Sequence, residues 1–160
     1  NSGIPFAIIR PTMFMQNFVT VFGSSISDDD VIYGAIGEGK VPFIDARDVA
    51  RMAAKVILKK YTDRIYTLTG SEVLGFSDVA MVLSKVLKRE IEYVSVSQEG
   101  VRSGMEGLKM PGWQVDAYLE LWSAVRSGHL SVVSTDYKTV MGIAPVLFKD
   151  FVRDYKEKWE

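Results

Sequence analysis

The 160-residue sequence contains no cysteine and a single histidine, His129. The absence of cysteine excludes disulfide bonds, thiolate catalysis and cysteine-ligated metal sites. It also fits a reducing compartment, so we expect a cytoplasmic protein. One histidine cannot supply the several ligands that a zinc site needs, and we therefore expect no metal.

The sequence also lacks an excess of either charge and any long apolar run. Its 19 basic and 20 acidic residues give a net charge of −1, which argues against a nucleic-acid partner. No apolar segment approaches the roughly 20 residues of a membrane-spanning helix, so no membrane association is expected. The length predicts one domain over residues 1–160. Because strand-like sequence begins directly after Asn1, we expect this chain to be part of a larger protein.

Short apolar or alternating segments bounded by turn residues predict five strands. The second and third are expected to form a hairpin around a glycine-rich turn. The first and fourth are separated by helical sequence, which favours parallel neighbours in one sheet. The five segments are Ile4–Arg10, Val31–Ile36, Lys40–Asp45, Arg64–Thr69 and Ile91–Ser97.

Apolar residues at helical spacing predict the remaining elements and an α/β fold whose later part is helical. A polar loop over residues 24–30 is expected after Gly23. The predicted helices are one from Thr12 with Met15, Phe18 and Phe22 inside; one capped by Asp48 and ending at Lys59–Lys60; one capped by Ser77 with Ala80, Leu83 and Leu87 inside; Gln98–Lys109; one with Trp113, Ala117, Leu121 and Val125 inside; and one from Phe148 to Trp159.

The segment Gly34–Val41 matches most of a phosphate-binding loop, G-x-x-x-x-G-K. The match fails at its last position, where Val41 replaces the serine or threonine that holds Mg²⁺. Such a loop must also open a helix, whereas Pro42 leads into extended sequence. We therefore interpret the glycines as a turn.

Polar and aromatic residues follow the first predicted strand. Thr12, Phe14 and Asn17 lie off the main apolar face of the helix predicted there. Ligands bind at the carboxyl ends of strands in open α/β sheets. The pattern leaves two interpretations open, plain packing and a ligand site.

Four segments together resemble the NmrA-like family, whose members are atypical short-chain dehydrogenases/reductases. Ile8–Phe18 is similar to the family's ILRPxxFMxNF segment, and Val41–Ala50 to its xPFIDxRDxA junction. Tyr66–Gly70 with Phe76–Ala80 resembles YxLTGPExLSxxEVA. The segment from Gly142 to Asp154 resembles GxxPxSFxEFVxD, although Leu147 stands where serine is usual. The order and spacing are the family's, so the resemblance covers essentially the whole chain.

The resemblance implies the C-terminal part of a Rossmann-type parallel sheet, with a small α/β substrate-side lobe and C-terminal helices. The family's N-terminal glycine-rich half, which holds the NAD(P) pyrophosphate, is absent. No catalytic residue can be assigned, because the Tyr-x-x-x-Lys pair of relatives is missing. By correspondence, the cofactor-binding residues are Pro11, Thr12, Phe14 and Asn17, and the substrate pocket includes Met13, Phe43 and Ile44.

The function implied is NAD(P)H-dependent reduction of quinones or similar carbonyl compounds, with NADP or NAD as cofactor. The alternatives are a non-catalytic NAD(P)-responsive redox sensor and a truncated chain without activity. Without the glycine-rich half, this chain alone is expected to bind NAD(P) weakly or not at all. Its partners would be a small quinone-like molecule and either a second copy or an N-terminal half that completes the sheet.

Overall fold

The computed structural model describes residues 3–160, which form an α/β arrangement with parallel strands. Helices fill the space between the strands and most of the second half of the chain. The strands are β1 (Ala7–Pro11), β2 (Val31–Gly34), β3 (Arg64–Leu68) and β4 (Glu92–Ser95). The helices are α1 (Asn17–Thr20), α2 (Gly23–Asp28), α3 (Ala46–Lys59), α4 (Phe76–Leu87), α5 (Gln98–Gly107), α6 (Gly112–Arg126), α7 (Asp136–Met141) and α8 (Phe148–Asp154), with a final 3₁₀ turn at Lys156–Lys158.

Strands β1 and β3 pair in parallel, as the sequence predicts. The register runs from Ala7 opposite Arg64 to Pro11 opposite Leu68. Ile9 and Tyr66 are neighbours on the face that packs in a small core with helices α3 and α7. Ile8 and Ile65 are neighbours on the opposite face, where they are 44% and 46% exposed. This sheet is therefore covered on one face only by the described residues.

The expected hairpin between Val31–Ile36 and Lys40–Asp45 is wrong. Strand β2 instead pairs in parallel with β4, with Val31 opposite Glu92. Residues 40–45 form only isolated bridges, one between Val41 and Leu74. Periodicity cannot reveal this partner, because β3 and α4 lie between β2 and β4 in the sequence. The glycine-rich turn leads into extended residues and opens no helix, as expected.

The main core is rich in aromatic residues and joins the β2–β4 sheet to the surrounding helices. Phe18 lies at its centre, with ring centroids 5.1 Å from Phe43, 5.6 Å from Phe76 and 5.3 Å from Phe148, all edge to face. The indole Nε1 of Trp159 donates a hydrogen bond of 2.9 Å to the carbonyl of Phe18. The C-terminal end of the chain is thereby attached to the helix that follows β1.

Several predicted helix boundaries differ from the structure. Residues 24–28 belong to α2 rather than to a polar loop, since Ser25 and Ser27 donate their hydroxyls to carbonyls of the preceding turn. The residue that caps α3 is Asp45, not Asp48, because its backbone is extended and its carboxylate accepts from the amide of Arg47.

Helices α4 and α6 also differ. Gly75 rather than Ser77 precedes α4, and the Asp78 carboxylate accepts from the Gly75 amide at 3.0 Å. In α6 the predicted inner face is only partly right: Val125 is buried and Leu121 is half-buried against the main core, whereas Trp113 and Ala117 are exposed. The helix carries apolar residues on most sides, so spacing alone does not identify the inner one. The buried residues are Val115, Leu119, Trp122 and Val125, whereas Trp113 is 70% exposed.

Across residues 3–160, no helix is both long and apolar enough to cross a membrane.

Candidate functional site

The carboxyl ends of β1 and β3 lie side by side and are joined through Thr12. Its amide donates to the carbonyl of Leu68 at 2.9 Å, and its hydroxyl donates to the carbonyl of Pro42 at 2.7 Å. The Gly70 amide donates to the same Pro42 carbonyl at 3.0 Å. Three segments distant in sequence are thus held together at one edge of the sheet, where ligands bind in open α/β folds.

The four predicted cofactor-binding residues lie at or just beyond this edge. Pro11 is exposed at the end of β1, and Thr12, Phe14 and Asn17 are half-buried. Within residues 3–160 the side-chain amide of Asn17 makes no hydrogen bond. A half-exposed amide without a partner is available to donate to, and accept from, a bound molecule.

The three predicted substrate-pocket residues lie inside the protein. Phe43 and Ile44 are 1% and 0% exposed, and Met13 is 9% exposed. Met13 and Phe43 belong to the main aromatic core and Ile44 to the smaller one. These three residues are thus less accessible than the strand-end residues, although Ile44 forms a parallel bridge with Phe14, which packs against the same small core.

A buried carboxylate supports the strand-end segment from behind. Asp45 is fully buried and accepts hydrogen bonds from the side chains of Gln16 and Arg47, at distances of 2.6 to 2.9 Å. Burial alone raises the pKa of Asp45, but the bonds from Arg47 and Gln16 outweigh it and hold the pKa below its usual value. Arg47 also binds the exposed Asp154 at 2.7 Å, and its own pKa is raised by these carboxylates.

Asp48 has a larger structural role than the predicted helix cap. Its carboxylate accepts from the hydroxyl of Tyr137 at 2.6 Å, the amide of Val146 at 2.7 Å and the guanidinium of Arg51 at 2.8 Å. Burial and the Asp48 hydrogen bond raise the pKa of Tyr137 to about 12. Asp48 therefore ties α3 to α7 and to the loop before α8.

A cavity of about 610 Å³ lies in the lobe of β2, β4, α5 and α6. Sequence reasoning did not identify it. The available signal was the pair of glycines at Gly100 and Gly104, which share one face of α5, with open space beside Gly104. The cavity is lined by Thr20, Val21, Phe22, Ser24, Ser25, Tyr33, Val96, Gly100, Val101, Gly104, Met105, Leu108, Met110, Tyr118 and Trp122.

The described residues fit only one end of a nicotinamide dinucleotide. The strand edge provides an exposed proline, a hydroxyl and an unpaired amide, which suit a flat, polar ring system. Pyrophosphate needs a glycine-rich turn that opens a helix. The glycine-rich segment Gly34–Lys40 does not meet this requirement, because isolated bridges and extended residues follow it.

The chain is similar to reductases and dehydrogenases over almost its whole length, although no family model matches it. It is 32% identical over 161 residues to an agroclavine dehydrogenase of Claviceps fusiformis, which covers 98% of this chain and 56% of that relative. It is 31% identical to an NAD(P)H azoreductase of Xenophilus azovorans, over 95% of this chain and 53% of the relative. The chain therefore spans about half the length of these curated relatives.

Solved structures give the same match at the level of fold. An NADPH-dependent quinone oxidoreductase of Escherichia coli superposes with a TM-score of 0.86 at 20% identity, covering 98% of this chain and 57% of the other. The chain therefore shares the fold of the matching part of that protein. A triphenylmethane reductase of Citrobacter, solved with NADP(H), gives a TM-score of 0.83 at 21% identity over 94% of this chain and 53% of the other.

Proposed function

We propose that this chain is the substrate-side part of an NAD(P)H-dependent oxidoreductase that reduces quinones or similar uncharged carbonyl compounds. The observation that carries the proposal is the accessible strand edge with the unpaired Asn17 amide. The similarity to an NAD(P)H azoreductase and to a quinone oxidoreductase fold supports it. The absence of cysteine suits such substrates, because quinones add to thiols, and it fits a reducing cytoplasm.

In this proposal the strand edge forms one wall of the nicotinamide site. The cofactor supplies the hydride when bound, and the protein orients it. Pro11 and Thr12 lie beside the nicotinamide ring, and Phe14 and Asn17 line the adjoining cleft. The two backbone carbonyls that bind Thr12 keep this wall in place, and the Asn17 amide is free to pair with a carboxamide or a substrate oxygen.

The domain proposal is that residues 1–160 form one unit that resembles the C-terminal half of an NmrA-like protein. Parallel sheets are usually covered on both faces. The exposed face of the β1–β3 sheet, with Ile8 and Ile65, supports further polypeptide packing there. We expect this to be an N-terminal half with the glycine-rich nucleotide-binding turn or, in the isolated chain, a second copy.

The test uses the full-length protein and the variant Asn17→Ala. The matched control is Gln114→Ala, which removes a second half-buried amide, located on α6. We expect Asn17→Ala to lower kcat/KM about tenfold, because one hydrogen bond to a bound group is lost. The melting temperature should be nearly unchanged. The control should retain activity. A large loss of stability with unchanged activity would show that Asn17 is a structural amide.

A non-catalytic redox sensor is the second candidate. It is favoured by the absence of any titratable group among Pro11, Thr12, Phe14 and Asn17. Quinone-dependent oxidation of NADPH by the full-length protein separates the two, since a sensor binds the nucleotide without turnover.

A further inference from the structure

We propose that the cavity beside α5 binds an uncharged, planar aromatic molecule. The proposal rests on the proposed function, since it identifies this molecule as the acceptor substrate of the oxidoreductase. The cavity volume of about 610 Å³ lies within the usual range for small-molecule sites.

One wall is a single face of α5. Gly100, Val101, Gly104, Met105 and Leu108 all line the cavity, and their spacing places them on one side of the helix. A Cβ atom added at Gly104 would meet no other atom within 4 Å. The glycine therefore leaves open the space that a larger residue would fill.

Aromatic side chains form another part of the lining. Phe22 and Trp122 stack with an interplanar angle of 21°, and Tyr118 meets Trp122 edge to face. Met105 and Met110 also line the cavity, and thioethers pack favourably against aromatic rings. This composition suits a flat ring system.

The absence of charged side chains from the cavity lining disfavours phosphorylated ligands. None of the described residues that line the cavity is a lysine, arginine, histidine or carboxylate. A buried diphosphate without a cationic partner is unfavourable, so a nucleotide sugar is excluded from this ligand class.

The cavity has an apolar entrance. Leu108 is 81% exposed, and Tyr33 and Val21 are 45% and 38% exposed. Large apolar side chains at the surface of a cavity are typical of a site that an apolar ligand enters.

The test measures binding of menadione, an uncharged naphthoquinone, to the full-length protein without nucleotide, by quenching of tryptophan fluorescence. The site variant is Gly104→Leu and the matched control is Gly107→Leu. Gly107 is on the same helix, also has open space around it, and does not line the cavity. Both variants should keep the fold, since leucine favours a helix more than glycine does. Residues 1–160 contain no cysteine, so menadione forms no thiol adduct within them.

We expect saturable binding that Gly104→Leu weakens at least about tenfold because the side chain fills the space of the ring. Gly107→Leu should bind within about twofold of the parent, since its site is unaltered. UDP-glucose should not displace menadione. The proposal is overturned by no binding, by equal binding to both variants, or by displacement with UDP-glucose. A parallel titration with NADPH tests the proposed function separately. If the full-length protein does not bind NADPH, the proposed function fails, whereas the menadione titration still tests the cavity.

Discussion

At the scale of single residues, two buried aspartates near the start of α3 join segments that are distant in sequence. Asp45 pairs with Arg47 and Gln16, and Asp48 pairs with Tyr137 and a backbone amide. Buried carboxylates are stable only with such partners. Both aspartates are therefore expected to be sensitive to substitution, although neither is accessible to a ligand.

Asp45→Asn should destabilise the protein by about 2 kcal/mol at neutral pH, because it weakens charge-assisted hydrogen bonds from the partly exposed Arg47. Since the folded state lowers the Asp45 pKa, its stabilisation is present above the ordinary value of 3.8 and is lost as the pH falls below it. Urea unfolding of both proteins should show a difference that shrinks in acid. The control Asp154→Asn, at the exposed partner of Arg47, should cost less than about 1 kcal/mol. A pH-independent difference for Asp45→Asn contradicts this explanation.

Tyr137→Phe should lower the free energy of unfolding by about 1–2 kcal/mol, because the buried Asp48 carboxylate loses one hydrogen-bond donor. The raised pKa of Tyr137 means that its stabilisation is complete below 10.0 and is lost as the pH rises through about 12. In denaturant unfolding at alkaline pH, the free energies of unfolding of the parent and of Tyr137→Phe should therefore become more similar. Tyr61→Phe, at an exposed tyrosine, should have little effect. Equal losses in both variants would rule out the Asp48 hydrogen bond as the cause.

At the scale of elements, the sequence predicted the parallel β1–β3 pair and helix α3, and it left open whether Thr12, Phe14 and Asn17 are packing residues or a ligand site. It could not predict that β2 pairs with β4, because that contact depends on the path of the intervening chain. The start of α3 was misplaced because Asp45 and Asp48 both suit a cap, and backbone conformation decides between them. The cavity was missed because its walls come from five separate elements.

Two glycine substitutions should act in opposite directions. A Cβ at Gly70 would collide with the carbonyl oxygen of Phe43, so Gly70→Ala must displace the backbone that joins the strand ends. We expect Gly70→Ala to lower the free energy of unfolding by about 3 kcal/mol, as severe overpacking does. Gly104→Ala has open space and lies within α5, so it should stabilise by about 0.5–1 kcal/mol. Thermal unfolding of both variants checks this. A neutral Gly70→Ala would mean that the strand-end junction is not tightly packed.

At the scale of the whole molecule, we expect the uncovered face of the β1–β3 sheet to promote association. Ile8 and Ile65 lie side by side on it, and Phe6 is 51% exposed just before β1. Apolar surface of this kind promotes pairing with another chain. The same surface is the proposed contact with an N-terminal half.

The isolated 160-residue chain should self-associate, and Ile8→Lys should reduce this association by placing a charge on the face. Met81→Lys, at an exposed apolar residue of α4, should leave it unchanged. Light scattering over a range of concentrations measures both. A parent chain that stays monomeric at every concentration contradicts the prediction.

The central claim is that this chain belongs to an NAD(P)H-dependent oxidoreductase. The most direct measurement compares oxidation of NADPH in the presence of menadione by the full-length protein and by residues 1–160 alone. We predict menadione-dependent turnover by the full-length protein and none by the isolated chain, which lacks the glycine-rich turn that binds pyrophosphate. Tight NADPH binding by the full-length protein without turnover would contradict catalysis and favour the sensor, and absence of NADPH binding would contradict both.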